Sequence, residues 1–162
     1  MEPRMDYRTA VPKEALQALF ALEAAIRKGG LEMKLLGLVR MRASQINGCA
    51  YCLDMHGKDA RAEGETEQRL YGLNAWRETP YYTERERAAL EWTEALTLIS
   101  RDQAPDEVYE RVRGQFSESE LAVLTLAVTS INSWNRIAVS FRVVPGSYER
   151  PEKARMATDE HG

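Results

Sequence analysis

Apolar positions recur along this chain at three- and four-residue spacing, the repeat of an α-helix with one buried face. From Pro12 to Lys28 the stripe is Leu16, Leu19, Phe20, Ala24 and Ile26, and Gly29-Gly30 ends it. Leu31 to Ile46 repeats the pattern through Met33, Leu36, Val39 and Ala43 until Asn47-Gly48 breaks it. The short side chain of Asn47 can accept an orphan backbone N–H, which predicts it as the N-cap of a third helix over residues 48 to about 61. A shorter fourth helix is predicted over Glu65–Trp76, ahead of Pro80. Thr83-Glu84-Arg85-Glu86 fits a capping box, and the stripe Ala89, Leu90, Trp92, Ala95 and Leu96 follows it. Pro105 suits the first turn of a helix over Asp106–Gly114. Ser117-Glu118-Ser119-Glu120 offers a second capping box and opens a long helix to about Val139.

Seven helical segments with short connections predict an all-α, single-domain helical bundle. Phe141-Arg142-Val143-Val144 is the one strand-like run, and it is too short to carry a sheet. Residues 1–148 are read as the domain and 149–162 as a polar tail. Trp92, Trp134 and Phe141 sit among aliphatics and are expected in the core. Asn132, Asn135 and Arg136 are polar positions in an apolar helix, expected to hydrogen-bond inside the fold or at a subunit contact.

Composition narrows the function. The chain has 162 residues, 44% hydrophobic and 29% charged, which is ordinary for a globular domain with its own core. A net charge of −3 leaves no basic excess to neutralise phosphates, so nucleic acid is not expected as a partner. The first residues lack the apolar run of a secretory signal. The longest apolar-rich stretch, Leu121–Val128, falls far short of the roughly 20 residues that span a bilayer. A cytoplasmic location with no membrane partner is expected. In that reducing compartment two cysteines are too few for a disulfide scaffold and suit one chemical pair.

Both fall in Asn47-Gly48-Cys49-Ala50-Tyr51-Cys52-Leu53-Asp54-Met55-His56. On a helix, Cys49 neighbours Cys52 and Cys52 neighbours His56, so three reactive side chains share one stripe at a helix start. Unpaired N–H groups there favour a thiolate, and Cys-x-x-Cys pairs have depressed thiol pKa values. The helix dipole favours Cys49 as the nucleophile. General-base catalysis favours Cys52, because His56 lies one turn from it but about 10 Å along the axis from Cys49. Cys52 is therefore expected as nucleophile and Cys49 as resolving thiol. Two blander readings stand beside this one: a pair of small buried residues, or a zinc site in which His161 would be a poor fourth ligand.

The run from Leu38 through Cys52 and on to His56 resembles the carboxymuconolactone decarboxylase-like superfamily in its AhpD-like, alkylhydroperoxidase branch. The likeness continues through Arg77-Glu78-Thr79-Pro80, Thr83–Thr97, Ile131–Arg136 and Pro145-Gly146, so it spans roughly residues 10–148. It implies an all-α homo-oligomer that reduces hydroperoxides with a cysteine pair cycling between dithiol and disulfide. Reduction of the disulfide by an external dithiol or disulfide reductase is implied, with no cofactor or metal. The resemblance assigns Cys52 the peroxidatic role, Cys49 the resolving role and His56 a place in a proton relay. The decarboxylase branch lacks this pair. The family relay usually has a glutamate twelve residues before the first cysteine, where this chain has Gly37, and AhpD has a histidine where this chain has Tyr51. Glu91 and Glu94 are candidates to replace that carboxylate, although the role expected of them is structural, capping or pairing within the bundle. A non-peroxidatic redox sensor or small-ligand protein on the same fold is the competing reading.

Overall fold

The computed structural model describes residues 1–150, and among these there are helices and turns but no strand. In chain order the helices are α1 (Tyr7–Ala10), α2 (Lys13–Arg27), α3 (Met33–Asn47), α4 (Ala50–Ala62) and α5 (Glu67–Gly72). A 3-10 segment, Leu73–Glu78, leads to α6 (Glu84–Thr97), α7 (Ile99–Asp102), α8 (Asp106–Arg113) and α9 (Glu118–Phe141). Both capping boxes form: Thr83 and Glu86 cap α6 reciprocally, as Ser117 and Glu120 cap α9. The strand-like run is not a strand. Phe141 closes α9 and Arg142 turns left-handed (φ 55). The predicted fourth helix is two pieces, α5 to Gly72 and the 3-10 segment from Leu73, and within the second Ala75 leaves helical geometry. Of the predicted core aromatics, Trp92 is buried, whereas Trp134 and Phe141 are only partly covered.

At the centre lies α3, which packs against α4, α6 and α9. Its buried residues Leu35, Leu36, Leu38, Val39, Met41 and Ala43 occupy more than one face, as expected of a helix enclosed by neighbours. Leu36 and Val39 join Leu124 and Val128 of α9, Ala89 of α6 and Val112 of α8 in one core. Leu38 and Met41 turn the other way, towards Leu70, Leu73, Trp76 and Leu90. Each fully buried aliphatic side chain of this kind contributes about 2 kcal/mol, so α3 is fixed from two sides.

Helices α3 and α4 meet without a linker. Asn47 ends α3 and does not cap α4 as the spacing predicted; Gly48 follows at φ 65, and Cys49 is the N-cap. The Cys49 N–H donates to the Ser44 carbonyl (3.0 Å) and the Gly48 N–H to the Gln45 carbonyl (3.3 Å), the two bonds of a Schellman turn. Gly48 is needed there because a left-handed residue costs an L side chain steric strain. The Asn47 side chain reaches α9 instead, donating to Asn132 (3.0 Å) and Asn135 (2.8 Å). Asn135 in turn donates to Ser44 (3.0 Å), and Asn132 to Thr97 (3.0 Å). Arg136 is exposed and bonds to Asn132 one turn back.

Beyond α9 the chain doubles back along α4. The Gly146 N–H donates to Asp54 (3.1 Å), Lys58 to the Tyr148 carbonyl (3.0 Å) and the Tyr148 hydroxyl to Asp59 (2.9 Å). Arg150 pairs with Asp59 (3.4 Å). This strap covers one side of α4. Residues 151–162 of the expected polar tail, His161 included, lie outside the described residues.

Asn135→Ala would remove one of the two acceptors of the Asn47 amide and leave the buried Ser44 hydroxyl without the donor it has in Asn135. A loss of about 2 kcal/mol in urea unfolding is expected, against a much smaller loss for Arg111→Ala, which removes an exposed ion pair with Glu91.

Candidate redox site

The Schellman turn delivers Cys49 to the first position of α4 in extended conformation (φ −86, ψ 93). One helical turn later comes Cys52, with 5.3 Å between the two Cα atoms, inside the span a disulfide bridges. The structure joins the two sulfurs. Cys49 Sγ also accepts the Cys52 backbone N–H at 3.3 Å, so a sulfur does the capping that serine or aspartate does elsewhere. Both cysteines are almost fully buried, packed with Ala138 of α9 and with the partly buried Tyr51 and Val143.

Cys52 and His56 line one cavity of about 410 Å³, bounded by α2, α4 and α9. Its apolar walls come from Phe20, Met55, Trp134 and Ile137, and Tyr148 of the strap closes part of it. Cys49 is not part of this cavity. His56 also borders a second, smaller one of about 240 Å³ together with Gly37, Arg40 and Asp59.

Charge around His56 is mostly positive. Burial, Arg40 and Arg27 push its pKa down to about 3, so the imidazole is neutral across the physiological range. Arg40 is itself buried and donates to Glu23 of α2 (2.9 Å), which also accepts the Ser130 hydroxyl (2.5 Å). The other carboxylate of the cavity, Asp59, is held by Tyr148 and Arg150. Burial first, and then the bond to Asp59, push the Tyr148 phenol up to about 12 against the opposing pull of Arg150.

The two glutamates proposed from sequence as substitutes for the missing carboxylate lie elsewhere. Glu94 accepts bonds from Arg42 (2.8 Å), Trp76 (2.8 Å) and Arg77 (2.5 Å). Burial raises its pKa, but those donors outweigh burial and hold it below the usual carboxylate range. Glu91 pairs with Arg111 (2.7 Å). Both are structural, the role expected of them. The carboxylates beside His56 are Glu23 and Asp59, which sequence reading passed over. A signal existed for each. Glu23 stands three residues after Phe20 and seven after Leu16 on the apolar stripe of α2, and Asp59 stands three after His56. At Gly37 an added Cβ would meet only Ala60 Cβ at 3.8 Å, an ordinary contact. Among the described residues no group of three His, Cys, Asp or Glu side chains is arranged to hold a metal ion. Nor is any helix among them long and apolar enough to cross a membrane.

Comparison with known proteins points one way. The model of the carboxymuconolactone decarboxylase family matches residues 13–95, from α2 through most of α6, a stretch holding Gly37, both cysteines and His56. The uncharacterized protein YdfG of Bacillus subtilis is 42% identical over 140 residues, 86% of this chain and 95% of that protein. A crystal structure from Agrobacterium tumefaciens, of a protein of unknown function named as a candidate antioxidant defence protein AhpD, superimposes with a TM-score of 0.86. It is 44% identical and covers 91% of this chain and 100% of its own. The debrominase Bmp8 has the same fold (TM-score 0.69, 19% identity, 88% of this chain and 74% of that one), a likeness of fold alone.

The depressed pKa of His56 has a consequence for stability. Between about pH 6.5 and about pH 3 the unfolded chain takes up a proton at this position that the folded chain refuses, so stability falls as the pH drops through that window. His56→Gln removes the effect. Its unfolding free energy, followed by urea titration from pH 7 to pH 4, should decline less steeply than that of the unmodified protein.

Proposed function

The chain belongs to the carboxymuconolactone decarboxylase family, in its AhpD-like part, and on that premise we propose that it is a thiol-dependent peroxidase working through a Cys49–Cys52 dithiol/disulfide cycle. Family membership and the bonded cysteine pair fit an antioxidant peroxidase at the level of the family. One observation carries the specific reading: Cys52 and a neutral His56 share an apolar cavity roomy enough for an organic hydroperoxide, and Cys49 is already within bonding reach of Cys52.

In the forward half-reaction the Cys52 thiolate attacks the distal peroxide oxygen, the O–O bond breaks, and the alcohol leaves with a proton. Cys52 is then a sulfenic acid. The Cys49 thiol condenses with it, releasing water and forming the disulfide. An external dithiol returns the pair to the reduced state. Cys52 is assigned the attack because it is the cysteine that shares a cavity with His56, and Cys49 the resolution. His56 is the ionisable group in the same cavity that would take the Cys52 proton and return it to the departing alkoxide.

A second reading, that of a redox sensor, is favoured by two observations: Gly37 supplies no carboxylate, and burial, with Arg40 and Arg27, keeps His56 weakly basic. Slow oxidation would then report peroxide rather than clear it.

Reduced protein treated with one equivalent of an organic hydroperoxide should lose two free thiols and gain a Cys49–Cys52 disulfide by mass spectrometry. Cys52→Ser should abolish the reaction. Cys49→Ser should stop at a sulfenic acid that dimedone traps. Unchanged thiols in the unmodified protein would sink the peroxidase reading. Gly37→Glu would place a carboxylate in the cavity shared by Arg40 and His56 and raise the imidazole pKa by opposing Arg40. Its second-order rate constant with hydroperoxide should rise about tenfold or more, the effect of a general base moved nearer neutrality. Equal and substantial rates in both proteins would count against the sensor.

A further inference from the structure

Each buried cysteine of the disulfide borders its own cavity, and the two cavities differ in charge balance. Cys52 shares one with His56, where the cations Arg8 and Arg27 are matched by the carboxylates Glu23 and Asp59. Cys49 lines the other, of about 530 Å³, between the start of α4 and the end of α9. Tyr51, Ala138 and Val143 line both and form the partition between them. No carboxylate lines the Cys49 cavity among the described residues, but two guanidinium groups do, those of Arg4 and Arg142. Neither is paired with an acidic side chain among the described residues. Arg4 is held at the end of α9, its side chain donating to the Ser140 carbonyl (3.0 Å) and its backbone N–H to the Phe141 carbonyl (2.9 Å). Arg142 stands exposed at the left-handed residue that ends the same helix.

We infer that the two halves of the thiol cycle use opposite sides of the disulfide: hydroperoxide meets Cys52 in the charge-balanced cavity it shares with His56, and the reducing thiol attacks Cys49 from the other, where Arg4 and Arg142, with no carboxylate beside them, select an anionic thiol. The first half rests on the peroxidase reading; the second does not. Which sulfur of a disulfide is attacked depends on access, and two cations at the mouth both attract an anion and favour the thiolate form of the incoming thiol.

The exchange balances. The donor thiolate bonds to Cys49 Sγ, the Cys49–Cys52 bond breaks, and its electron pair leaves on Cys52 as a thiolate. A second donor thiol then attacks the donor sulfur of the mixed disulfide and expels Cys49 as a thiolate, which the Cys52 N–H is positioned to receive. The donor ends as a disulfide, oxidised by two electrons, and its two protons end on the two cysteines.

The test uses disulfide protein prepared with diamide, so no hydroperoxide is involved. It is mixed with 2-mercaptoethanesulfonate, 2-mercaptoethanol or cysteamine, with rates compared per thiolate. Acid quenching, alkylation of the released thiol and peptide mapping locate the adduct. The adduct is expected on Cys49 with the alkyl group on Cys52, a result that needs no variant protein. At low salt the sulfonate should react about tenfold faster than the ammonium thiol, with the gap narrowing as salt screens it. In Arg4→Gln/Arg142→Gln the charge order should shrink to about twofold, while the neutral thiol, as control for intact folding, keeps its rate within about twofold. Adduct on Cys52, or a charge order that survives loss of both arginines, would overturn the inference. Failure of hydroperoxide to oxidise the thiols would instead sink the peroxidase reading and leave this exchange result standing.

Discussion

The site depends on the turn that lets one residue serve two helices. Cys49 donates its backbone N–H to close α3, and its sulfur accepts the N–H that opens α4. With no spare residue between the helices, the direction of α4 follows from that of α3, and α3 is clamped by apolar packing against α6 and α9. The asparagines 47, 132 and 135 tie the same turn to α9 through amide bonds that an apolar side chain could not make. The thiol pair thus owes its position to the most enclosed helix of the fold rather than to a loop, which limits how far the sulfurs can drift apart when the bond between them breaks.

Electrostatics pull against that preparation. Burying Arg40 requires a carboxylate partner, and Glu23 provides it from α2. Glu23 is thereby engaged with a cation and a hydroxyl, and His56 feels Arg40 and Arg27 without an equal number of free negative charges nearby. A carboxylate rising from α3 at position 37 would have answered Arg40 from the other side. The position has room for one and carries none.

The helices were legible because apolar spacing and end signals agree: both capping boxes formed where Thr83 and Ser117 announced them. That Cys49 and Cys52 lie within bonding reach at the start of α4 was legible because i, i+3 neighbours need no tertiary information, whereas the separation of Cys49 and His56 into different cavities was not. The misplaced cap of α4 came from Asn47, a strong local capping residue whose side chain α9 claims instead. Glu23, Asp59 and Arg40 went unread as neighbours of His56 because three helices bring them together, and a one-dimensional pattern holds no distance between helices. Glu94 invited a catalytic reading for the same reason: its partners Arg42, Trp76 and Arg77 lie far away in the chain.

The strap along α4 adds an order in time. Lys58 and the carbonyl it binds on Tyr148 are 90 residues apart, so during synthesis the cysteines emerge long before the segment that helps to roof their cavity. A nascent chain therefore exposes its thiols to every small oxidant and thiol around it until the last stretch of the domain arrives. Held by polar contacts and few buried side chains, that roof is also the part expected to open first in the finished protein. Shelter for the cysteine pair is thus supplied by a segment made some 90 residues after it, late to arrive and early to open.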